Sequence, residues 1–116
     1  MTKPYDLEER TLAFAKEIRL FVKTLPKSTA NFEDAKQLIK SSGSIGANYR
    51  EANEKLSKKD FLLRMKISRK EAKETLYWLQ LIDSTNNLLN TEEIHKLMNE
   101  ATELKKILSS IIEKSK

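Results

Sequence analysis

A chain of 116 residues has room for one core and no second, and its net charge of +5 leaves space for an anionic partner without establishing one. Two glycines and two prolines are too few turn-formers for a sandwich or barrel, which leaves long helices with short connections. With no cysteine, disulfides and thiolate metal sites are excluded. The charged opening MTKPYDLEER does not read as a signal peptide and no apolar run approaches about 18 residues, so a cytoplasmic location is expected.

In the first segment Leu7, Phe14, Ile18, Phe21 and Leu25 recur at threes and fours, with Thr11 in the gap. Asp6 and Glu9 read as a capping box there, and Pro26 closes the segment. The second helix is expected from an Asn31 cap, with Asp34 three residues on, to about Lys55. Ser57 with Asp60 starts a third, which runs to the Asn86–Asn87 region. Asn90 with Glu93 starts a fourth, whose stripe Ile94, Leu97, Ala101, Leu104, Leu108, Ile111 is spaced 3-4-3-4-3. Connections of about three to six residues make sequential neighbours antiparallel. The expected fold is all-α, a single antiparallel up-down-up-down four-helix bundle over residues 1–116.

Both glycines, Gly43 and Gly46, fall in the stretch SSGSIGANYREA of the second helix. A Walker loop needs GxxxxGK[ST] between a strand and a helix, and a GXXG clamp needs strands that this chain lacks. On a helical wheel Phe32, Ala35, Ile39, Ser42, Gly46 and Tyr49 share a face, with Leu38, Ile45 and Ala52 beside them. Gly46 stands mid-face and Gly43 at the edge. Each glycine costs roughly 1 kcal/mol against alanine inside a helix, which a close helix–helix approach would offset. The two glycines are therefore expected to form a packing seam.

A di-metal bundle site takes two Glu-x-x-His motifs plus two further glutamates. The one histidine, His95, offers one such spacing, Glu92–His95, placed at the rim beside the inward Ile94 and Leu97. No metal and no cofactor is expected. No histidine stands near a candidate serine either, so nucleophilic catalysis is not expected.

Two surfaces remain. Asn48 and Glu51 are helix neighbours pointing away from the Gly46 face. Arg64, Glu71 and Trp78 likewise lie off the line of Phe61, Met65, Ala72 and Leu79. This second surface is expected to meet a neighbouring subunit, against the plainer reading of a solvated face with a partly exposed tryptophan. The other surface is basic: residues 55–73 hold eight Lys or Arg against two acids. Lys59, Lys66 and Lys73 are seven apart, with Arg69 and Lys70 on the same side, opposite Phe61 and Leu79. Residues 88–116 carry five charges of each sign and do not share the bias. A stripe of this kind grips phosphates or is merely solvated. No groove-reading motif and no aromatic platform is read beside it, so sequence-specific recognition is not expected.

SIGANYREA, SKKDFLLRMKIS and KEAKETLYWL together resemble a known family. The matching positions are Ser44, Ile45, Ala47, Asn48 and Glu51, then Ser57, Lys58, Asp60 and Phe61, then Glu74, Thr75, Tyr77, Trp78 and Leu79. The likeness runs from about residue 7 to the end. It is to the four-helix-bundle proteins encoded in intervening sequences of bacterial large-subunit ribosomal RNA genes, which are similar to accessory proteins of diversity-generating retroelements. Many members have proline where Gly46 stands and glycine where Ala52 stands. The resemblance implies a ring, typically a homopentamer, without catalytic activity. For the retroelement relatives it implies binding to nucleic acid and to a reverse transcriptase.

The expected function is a non-enzymatic homo-oligomer that binds nucleic acid, RNA foremost, through Lys59, Lys66, Arg69, Lys70 and Lys73. The rival expectation is a scaffold that docks a protein such as a reverse transcriptase.

Overall fold

Four helices account for most of residues 6–54 and 57–116, the part of the chain that the computed structural model describes. They are α1 (Leu7–Val22), α2 (Thr29–Ala52), α3 (Lys58–Thr85) and α4 (Thr91–Lys114).

Asp6 starts α1 by accepting the Glu9 amide at 3.3 Å. Leu7, Thr11, Phe14, Ile18 and Phe21 form its buried face, and Leu25 packs half-buried from the connection. At the start of α2 the structure departs from expectation, because Ser28, not Asn31, is the cap: its Oγ accepts the Asn31 amide at 3.1 Å. Serine and asparagine cap helices about equally well, so local preference does not separate them. A tertiary contact does. The Asn31 side chain is 5% exposed and donates to Pro26 O and to Asn86 Oδ1, both at 2.8 Å. Asn86 Nδ2 returns a bond to Asn31 Oδ1 at 2.9 Å.

The buried face of α2 also differs from the wheel. Leu38, Ser41, Ser42, Ile45, Gly46 and Ala52 lie inside, whereas Phe32 is 63% exposed and Ile39 and Tyr49 are half-buried. The reason is that α2 packs against both α1 and α3, so its inner face lies between two apolar lines. Its serines tolerate burial because their hydroxyls find partners. Ser41 Oγ accepts from Thr75 Oγ1 at 2.9 Å, and Ser42 Oγ donates to Ile39 O at 3.2 Å. Across the same seam Ser68 Oγ donates to Ile45 O at 2.7 Å. Helix α2 ends at Ala52; Lys55, its expected end, lies outside the described residues.

Ser57 Oγ accepts the Asp60 amide and donates to Asp60 Oδ2, each at 3.0 Å, so α3 starts where Ser57 and Asp60 place it. Asn90 caps α4, but its Oδ1 accepts from Glu92 N rather than Glu93 N. The α4 stripe holds to Leu108 and then closes on Ile112 in place of Ile111. A strict three-four alternation drifts around a 3.6-residue helix, and by the last turn that drift has moved the buried position along by one.

Cross-helix contacts give the topology. Asn53 bonds Glu8 at 3.1 Å while Gly46 lies over Thr11, which runs α2 antiparallel to α1. Arg64 with Asn48, Ser68 with Ile45 and Asn86 with Asn31 do the same for α3 on α2. Asp83 with His95, and Arg69 within reach of Glu113, do it for α4 on α3. Arg10 clasps Glu100 through two bonds, at 2.7 and 2.8 Å, and ties α1 to α4. The pair α2–α3 meets most extensively and α1–α4 least. The bundle is accordingly flattened, 45 × 31 × 19 Å.

Candidate nucleic-acid interface

The inward positions of α3 are Met65, Ser68, Ala72, Thr75, Leu79 and Ile82. At about 100° per residue that core places Lys59, Lys66, Lys70 and Lys73 on the opposite side, and all four are exposed. Arg69 lies on the flank toward α4 and is half-buried. Between α3 and α4 runs a cleft of 450 Å³ lined by Lys66, Arg69, Lys70, Lys73, Lys105 and Ser109. Lys59 is not part of its wall. Lys105 and Ser109 were missed in the sequence because the charges of α4 balance. They follow Leu104 and Leu108 by one residue, and that offset from the apolar stripe was the available signal.

Few acids offset this surface. Lys70 Nζ lies 3.7 Å from Glu74 Oε2, an exposed pair of the kind worth little. Glu113 has its carboxyl held below the usual 4.5, first by a hydrogen bond and charge from Lys116 at 2.7 Å, then by Arg69 and Lys66. The cations of α3 thus extend their field onto the last turn of α4.

On the α2 flank of α3, Arg64 Nη1 donates to Asn48 Oδ1 at 3.3 Å, and Asn48 Nδ2 donates to Ser44 O at 2.9 Å. These two side chains therefore bond within the chain. Glu51 is exposed, while Glu71 and Trp78 are half-buried. The Glu71 carboxyl is pushed up by burial and then by Glu74, against the opposing pull of Lys70 and Lys40. Trp78 packs on the core, and the Tyr77 ring forms a T-shaped pair with it, centroids 5.0 Å apart.

At the glycine seam, a Cβ on Gly46 would stand 2.7 Å from Thr11 Oγ1 and 3.1 Å from Thr11 Cβ. A Cβ on Gly43 would meet only the end of the Arg19 side chain, at 3.3 Å. At the start of α4, Glu92 is exposed and His95 turns to Asp83 of α3 at 3.2 Å.

No curated protein matches the chain. Among solved structures it is similar to a crystal structure from Bacteroides thetaiotaomicron, described as a protein with unknown function from the S23 ribosomal protein family. The two are 39% identical over 90% of this chain and 96% of that one, with a TM-score of 0.81. A family model for the 23S rRNA-intervening sequence proteins matches residues 4–110, and together with the four-helix architecture this means that the chain belongs to the 23S rRNA-intervening sequence protein family.

Proposed function

We propose that the protein is a non-catalytic homo-oligomer that binds nucleic acid, RNA foremost, through phosphate contacts of Lys59, Lys66, Arg69, Lys70 and Lys73. Asn48, Glu51, Arg64, Glu71 and Trp78 form the face between subunits in this reading. The observation that carries it is the cleft in which four of those five cations converge with Lys105 from the next helix. Five cations around one concavity, outnumbering the acids that reach them, Glu71, Glu74 and Glu113, attract a polyanion and release its condensed counterions on binding. Such contacts position a backbone without reading its bases.

The test is titration of RNA, DNA and polyglutamate against the protein and its Lys66→Gln/Lys73→Gln variant over a range of salt. Both lysines are exposed, so the fold should survive. Affinity should drop alike for unrelated sequences, and the log–log salt slope should fall by about 0.7–0.9 for each contact removed. In a ring each substitution recurs in every subunit, so the loss should be steep. A variant that keeps its melting point and mass, and binds as the parent does, would leave the stripe a solvated face. The protein would then be read as a scaffold for a protein partner such as a reverse transcriptase.

A further inference from the structure

We propose that Tyr77 is a base-stacking platform at the end of the phosphate-binding stripe, which makes single-stranded nucleic acid the ligand of this surface. The inference rests on the phosphate-binding reading and adds to it the class of strand.

Lys66, Lys70, Lys73 and Tyr77 are spaced four, three and four residues apart, a single line on a helix. At 1.5 Å per residue that line is about 16 Å long, with cations along it and an aromatic ring at its C-terminal end. Tyr77 is 55% exposed, and unlike Trp78 it is not among the side chains packed against the core. The run of cations ends at Lys73, and the ring expected to be absent beside it stands one turn further on. Trp78, itself lodged on the core, touches that ring from one side at an interplanar angle of 73°. That contact engages the ring on one side, and Tyr77 stays 55% exposed.

An exposed ring one turn beyond a row of cations matches the two needs of a single strand. Its phosphates require cations, and its unpaired bases gain by stacking on an aromatic face. A duplex keeps its bases stacked inside and presents none to a ring on a helix surface. Stacking is tolerant of sequence because every base has a π-face, so the surface should prefer single strands without preferring a sequence.

The experiment measures affinity for a single strand of about 16 uridines, near the upper site size of a single-strand-binding domain, and for an RNA duplex of the same length. The proteins are the parent, Tyr77→Ala, Tyr77→Leu, Tyr77→Phe and Lys66→Gln/Lys73→Gln, each checked for melting point and mass. Tyr77→Ala and Tyr77→Leu should weaken single-strand binding by roughly 5- to 150-fold, leaving duplex affinity and the salt slope unchanged. Tyr77→Phe should bind as the parent does. The leucine variant keeps apolar bulk beside Trp78, so it preserves the test if alanine loosens the helix. Unchanged single-strand affinity in the leucine variant, alongside a loss in the lysine pair, would overturn stacking and leave phosphate binding standing. A parent that binds neither strand would overturn both. A Tyr77→Leu variant whose subunit mass falls would make Tyr77 a contact between copies, and would also overturn the proposal.

Discussion

Two glycines three residues apart in α2 have opposite surroundings. Gly46 lies against Thr11, whose hydroxyl is anchored by donation to Leu7 O at 2.6 Å and whose side chain is 1% exposed. A Cβ on Gly46 would stand 2.7 Å from that hydroxyl, so Thr11 could yield only by giving up its bond to Leu7 O. Gly46→Leu should therefore lower stability by about 1–3 kcal/mol through overpacking, despite the better helix propensity of leucine. Gly43→Ala meets only the Arg19 guanidinium, which can swing into solvent, so it should raise stability by up to about 1 kcal/mol. Urea midpoints of the two variants check this, and a shift of equal sign in both would refute the contrast. Glu71 provides a pH-dependent case. Its carboxyl titrates above its ordinary 4.5 because burial penalises the charge, so the folded state holds its proton more tightly than the unfolded one. Below 4.5 both states are protonated and there is no penalty. As pH rises through the interval up to the folded pKa the penalty grows, and above it the penalty is complete. Glu71→Gln should thus stabilise the protein near pH 7 and not below pH 4.5. Melts of parent and variant at both pH values decide it.

At the scale of the helix, the ends show how local signals and tertiary demands share control. Asp6 and Ser57 cap as their spacing indicates, because a cap is a contact within one turn. Asn31 and Asp34 carry the same kind of signal, yet Ser28 takes the cap and Asn31 pairs with Asn86. Asn31 and Asn86 are 55 residues apart, a relation that no local pattern encodes. Asn86 also donates to Ile82 O, the closing carbonyl near the end of α3. Removing the Asn86 amide should leave a buried Asn31 carbonyl oxygen without that donor. Asn86→Ala should then cost about 1–3 kcal/mol and let the α1–α2 and α3–α4 ends of the bundle open first. Amide exchange that quickens at residues 82–85 and 29–32 while residues 65–75 stay protected is the expected result; uniform acceleration would contradict it.

For the whole molecule, the question is which faces of a flattened bundle remain for other copies and for ligand. The α2 flank of α3 carries Glu51, Glu71 and Trp78, and the α4 flank carries the basic cleft. Assembly through the former would leave the latter free and repeat it around the ring. Light scattering should report a closed oligomer, five subunits by the family resemblance, and Glu51→Lys should lower its mass. A monodisperse monomer at tens of micromolar would reject the subunit-face reading while leaving the cleft intact. What the sequence by itself determined is the number and order of the helices, the caps that start α1, α3 and α4, and the apolar line of α1 and most of α4. Those follow from periodicity and capping, which act within a few turns. What only the tertiary structure decided is the face that α2 buries, the choice of Ser28 over Asn31, and the joining of Lys105 and Ser109 to the α3 cations. Each of these depends on which helix lies beside which and in what register, and register is set by side chains far apart in the chain.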